Sequence, residues 1–147
     1  MNRKWTILGA VMAAVALSVA GFSLADDDDS PIHKLMEKVN SKNAAINKSV
    51  RTPVAWAKDG KKAADNADEL TKLFKEAREM KESSAKQKKP FDLWQKLMDE
   101  QIKETETFAA LARTNPKQAE AKAAFEKVKK ACAECHKDFR VEDDEKF

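Results

Sequence analysis

The stretch AAFEKVKKACAECHKDFR, residues 123 to 140, decides the fold. Within it Ala124, Phe125, Val128, Cys132, Cys135 and Phe139, with Ala121 just upstream, recur at steps of three and four, the period that gathers apolar side chains on one face of an α-helix. Lys and Glu fill most of the positions between. The same period runs back through the chain. Ser30 followed by Pro31 is an N-cap with proline at the first helical position, and Ile32, Leu35, Met36, Val39, Ile46 and Val50 then share a stripe. Thr52 and Pro53 repeat the signal. Ala57, Ala64, Ala67, Leu70, Phe74, Ala77 and Met80 carry a weaker stripe to about Lys81, interrupted by Gly60, which costs a helix interior roughly 1 kcal/mol.

ESSAKQKKP, residues 82 to 90, reads as a loop. A third helix is expected from Phe91 or Asp92 to Arg113, with Trp94, Leu97, Met98, Gln101, Thr105, Phe108 and Ala112 on its inner face. Asn115 and Pro116 look like a third cap-plus-proline start, with Gln118 in the capping-box position, and the fourth helix then runs to about Arg140. Three glycines, four prolines and no tyrosine, with 36% of residues charged, argue against a sheet. The expected fold is all-α, an antiparallel up-down-up-down four-helix bundle.

The front of the chain reads as an export signal. Arg3 and Lys4 form a basic start, residues 5 to 25 carry no charge, and Ser23 and Ala25 are the small residues before a cleavage after Ala25. A membrane span needs roughly 20 strongly apolar residues; this core is shorter and diluted by Ala, Gly and Ser. The expected organisation is a signal peptide at 1–25, an acidic tail at 26–29, the bundle at 30–140 and a second acidic tail at 141–147, in a periplasmic protein. Loss of Arg3 and Lys4 lowers Lys plus Arg from 28 to 26 against 25 Asp plus Glu, a net charge of +1. With both signs interspersed, a footprint for nucleic acid or anionic membrane is excluded, and no membrane span is expected after residue 25. No Ser/His/Asp arrangement is legible, so the chain is not expected to be an enzyme.

Both cysteines and one of the two histidines fall in CAECH, residues 132 to 136. Three chemistries use such a pair. A dithiol redox couple works best at a helix N-terminus, where the dipole lowers a thiol pKa; this pair lies near a helix end. Zinc needs a fourth ligand beyond Cys132, Cys135 and His136, and His33 is the only other histidine. C-x-x-C-H is also the attachment signature of haem c. Two thiols at that spacing reach the two vinyl groups on one porphyrin edge as thioethers, and the next residue turns its imidazole under the ring. Export supports the third reading, because thioether attachment takes place outside the cytoplasm.

A C-terminal helix ending in C-x-x-C-H-x-x-x-R, three amphipathic helices before it and Trp94 opening the third resemble the cytochrome c′ family and its low-spin relatives. The resemblance covers residues 30 to 140 in architecture and is most specific in residues 124 to 140. It implies a bundle holding one covalent haem c near its end, attached at Cys132 and Cys135 with His136 as proximal iron ligand, and Arg140 close to the imidazole. It implies iron that is either five-coordinate or capped by a methionine of the first helix. One departure is Ile32, where many relatives carry an arginine four residues before that methionine; how the haem propionates are held is thereby open.

Geometry nominates Met36 as the distal ligand. In an antiparallel bundle the first helix starts where the fourth ends, and at 1.5 Å per residue Met36 lies about 8 Å in from Pro31 and His136 about 6 Å back from Arg140. Met98, partway along the third helix, and Met80, at the far end of the second, are expected to be worse placed. His33 is the other possible ligand. Trp94, Phe125 and Phe139 are expected as core and cavity wall, and Trp56 as either packed or exposed. With Met36 on iron the site suits one-electron transfer to a redox partner protein; with Met36 as packing it would bind nitric oxide or carbon monoxide. The acidic runs DDDD and EDDEK point to a basic redox partner. Homodimers are common in the family, and no motif here establishes one.

Overall fold

The computed structural model describes residues 30–140; the signal peptide expected at 1–25 and both acidic tails lie outside them. Four long helices, α1 (Pro31–Val50), α2 (Pro53–Arg78), α4 (Phe91–Arg113) and α5 (Gln118–Phe139), form the bundle, and a five-residue helix α3 (Glu82–Lys86) sits in the connection from α2 to α4. The chain between 82 and 90 is therefore not the plain loop that its composition indicates.

Two of the three expected helix starts form as read. Ser30 Oγ accepts from the His33 N–H at 3.2 Å, and Thr52 Oγ1 accepts from the Ala55 N–H at 3.1 Å, each satisfying a donor that the helix start leaves open. The third differs. Asn115 is not an N-cap: it follows the end of α4 at φ 52°, its N–H donating to the Ala112 carbonyl. Asparagine tolerates this left-handed conformation, so it ends one helix instead of starting the next. Lys117 occupies the N-cap of α5. The Gln118 side chain reaches across to the Val50 carbonyl instead of closing a capping box.

α2 passes through Gly60 unbroken because the glycine makes room for a side chain. A Cβ there would lie 3.1 Å from ring carbons of Trp56. Trp56 is buried and donates its indole N–H to the Pro116 carbonyl at 2.8 Å, fastening α2 to the turn before α5. The inner face of α2 accordingly begins at Trp56 and Gly60, and Ala57, expected on it, is exposed.

Helix order follows from the short connections. α1 packs on α2, α2 on α4 and α4 on α5 along their lengths, while α1 and α5 touch sparsely. Ile46, Leu70, Phe108, Phe125 and Val128 fill the middle, with the Phe108 and Phe125 rings 5.4 Å apart. Burial of side chains of this size stabilises by about 1.5–3 kcal/mol each. Phe125, expected as core and cavity wall, lies in this deep core and not on the cavity lining. Outside, Arg78 grips Asp99 through two hydrogen bonds and Lys75 meets Glu106, pairs that set the register of α2 on α4 more than they stabilise it. No helix among the described residues is long and apolar enough to cross a membrane.

Candidate cofactor site

Antiparallel order brings the start of α1, the end of α2, the start of α4 and the end of α5 to one end of the bundle. Because α1 and α5 are splayed, a cavity of about 470 Å³ opens there. α5 supplies Cys132, Cys135, His136, Phe139 and Arg140 to its lining, and α1 supplies Ile32, His33, Met36 and Val39. Phe74 of α2 and Trp94, Met98 and Gln101 of α4 close the inner side. Trp94 and Phe139 meet edge to face, with ring centroids 5.2 Å apart, and the Trp94 indole donates to the Ala77 carbonyl at 2.8 Å. The rings are thus held in fixed positions on the wall.

The residues singled out from the sequence converge here. Half-buried Cys132 and buried Cys135 are free thiols, and His136 sits on the exposed rim beside them. Burial pushes the Cys132 thiol up to about 11. Burial, then the neighbouring Cys132 and Asp138, push Cys135 up to about 12. Thiols held protonated in this way are poor redox nucleophiles. No group of three or more His, Cys, Asp or Glu side chains among the described residues is arranged to hold a metal ion. Arg140 caps α5 on the same rim, its carbonyl accepting from Gln87 Nε2 at 3.1 Å.

Met36 is half-buried on the α1 wall. Met98 corrects the sequence reading, because it is buried and lines the same cavity. α4 enters from the cavity end, so a residue seven positions after Phe91 lies about 10 Å in, close to the depth of Met36. Met80 packs on the core without reaching the cavity lining. His33 lines the cavity with its side chain only 15% exposed and its Nε2 3.9 Å from Glu37 Oε1. Gln101 is buried with Oε1 unpaired, a feature that its place on an apolar stripe did not announce.

The cavity volume lies in the usual range for cofactor sites, about 300–1,000 Å³. Its walls are mostly apolar and aromatic, two thiols at C-x-x-C spacing and an imidazole share one wall, and a thioether sulfur belongs to another. This donor set fits haem c. A helical bundle with such a cavity beside C-x-x-C-H defines a c-type cytochrome. Comparison with family models matches residues 31–140 to Cytochrome C', and the chain belongs to the cytochrome c′ family. Comparison with curated proteins and with solved structures found no match.

Proposed function

We propose that the protein is an exported one-electron carrier, not an enzyme, with one haem c joined covalently to Cys132 and Cys135 and ligated by His136 and Met36. The observation that carries this reading is that Met36 lines the cavity shared by Cys132, Cys135 and His136. When bound, the haem supplies a centre that gains and loses one electron. The protein residues would hold it still and dry: Cys132 and Cys135 would fix one edge, while Phe74, Trp94, Met98 and Phe139 would exclude water. Ligation by Met36 sulfur together with His136 would favour the ferrous state and a raised potential. The exposed rim at His136 leaves an edge within reach of a redox partner.

A second reading rests on Met36 being only half-buried while a second methionine, Met98, also faces the cavity. If Met36 serves as packing, the site is a five-coordinate binder of nitric oxide or carbon monoxide. The test is the ferrous absorption spectrum of protein matured in an exporting host, taken with and without carbon monoxide. Low-spin bands unmoved by the gas, with carbon monoxide binding gained in Met36→Ala, are expected. A high-spin wild-type spectrum that shifts promptly would establish gas binding instead. The intact mass of the secreted protein, corresponding to a chain starting at Asp26 plus one haem, checks export and stoichiometry together.

A further inference from the structure

The segment 82–90 is more elaborately fastened than a connection requires. Ser84 Oγ accepts no helix duty but donates to the Lys81 carbonyl at 2.9 Å, and the Lys89 N–H returns to the Ser84 carbonyl at 3.0 Å. Lys88 takes φ 52° to make that return. Two side chains then clasp the end of α5: Gln87 donates to the Arg140 carbonyl, and Lys89 pairs with Asp138. Just before these anchors Ser83 and Lys86, three residues apart and so on one side of α3, line the cavity.

A haem is apolar except for its two carboxylates, which must stay in water or meet positive charge. The cavity walls offer them amide and hydroxyl groups, such as Asn40 and Asn43, but little positive charge. Ile32 is buried and uncharged, and Glu37 repels them. Apart from the histidines, the positive groups on the lining are Arg140, which belongs to the turn carrying His136, and Lys86, which comes to the rim from a separate element. We propose that Lys86 is the counter-charge for the haem carboxylates, positioned by the clasp of residues 82–90 on α5. The inference rests on the haem reading above. A lysine suits the place, because its flexible stem brings a compact charge to a carboxylate at the rim while keeping the ammonium hydrated.

The experiment compares midpoint potentials of haem-loaded wild type, Lys86→Gln and Lys88→Gln. Both variants lose one exposed positive charge two residues apart, but only Lys86 lines the cavity. A positive charge close to the centre disfavours the ferric state, so Lys86→Gln is expected to lower the potential several-fold more than Lys88→Gln does. Both shifts should shrink as salt rises, because both ammonium groups are exposed, with that of Lys86→Gln remaining the larger. Gln87→Ala, which keeps Lys86 but opens one clasp, should give a smaller shift in the same direction. Equal shifts in the two lysine variants would overturn the proposal while leaving the haem reading intact. Wild-type protein without covalent haem would instead remove the reading on which it rests.

Discussion

The indole N–H of Trp94 donates to the carbonyl of Ala77 at 2.8 Å, tying the first turns of α4 to the last turn of α2 at the cavity end. The same ring meets Phe139 edge to face, so one side chain braces three helices. Trp94→Phe keeps an aromatic ring and removes the donor. It is expected to cost about 1–2 kcal/mol, the scale of a buried hydrogen bond lost with some packing, read as a lower urea midpoint with an unchanged slope.

Gly60→Ala sets two effects against each other. Alanine improves helix propensity by about 1 kcal/mol, but its Cβ would approach the Trp56 ring to 3.1 Å. Trp56 cannot yield freely, because it is buried and its N–H is held by the Pro116 carbonyl. Crowding therefore wins, and thermal melts should show Gly60→Ala less stable than wild type. The double variant Gly60→Ala, Trp56→Leu should recover part of the propensity gain.

Ser30→Ala removes the side-chain acceptor for the His33 N–H. A lost N-cap costs about 0.5–2 kcal/mol, and here the fraying is confined to the turn that carries His33 and Met36. Amide hydrogen exchange should rise in residues 33–36 and stay unchanged in α4.

The helix starts and the buried contacts differ in how far the sequence disclosed them. Ser30–Pro31 and Thr52–Pro53 are local signals, and both helices start there. Asn115–Pro116 carries the same letters with the opposite meaning, since asparagine serves equally at a cap and in a left-handed turn, and only the end of α4 decides which. The burial of Trp56 depends on Gly60 and on Pro116, sixty residues away, so no local pattern could show it. At the site, the C-x-x-C-H spacing and the depth of Met36 were legible. The depth of Met98 follows from the same arithmetic, because the third long helix of an up-down-up-down bundle also starts at the cavity end. The fastening of residues 82–90 was not legible, because two buried serines in a lysine-rich run look like solvent-facing loop.

Before any thioether forms, the raised thiol pKa values have a consequence for pH. Cys132 and Cys135 are pushed up to about 11 and about 12 by burial, above an unfolded value of about 8.5. The native chain then holds protons that the unfolded chain has released, so this contribution to stability is complete below about pH 8.5 and declines as pH rises towards the folded values. Alkylation of the haem-free protein by iodoacetamide at pH 8 should run far slower than that of the urea-unfolded chain. Denaturation midpoints should fall between pH 9 and 11, and a Cys132→Ser, Cys135→Ser variant should lose that slope.

The sparse contact between α1 and α5 gives the bundle an unequal set of seams. Both the α1–α2 and α4–α5 pairs are hairpins of neighbouring helices, and α2 on α4 joins them, so three seams can form early from contacts of modest sequence separation. The fourth joins the two ends of the chain and shares the least surface. It is the seam at which local opening costs least, while α1 stays held along its length by α2. A flat, rigid guest meets Cys132 and Cys135 at that seam, without unfolding the frame on which those cysteines stand.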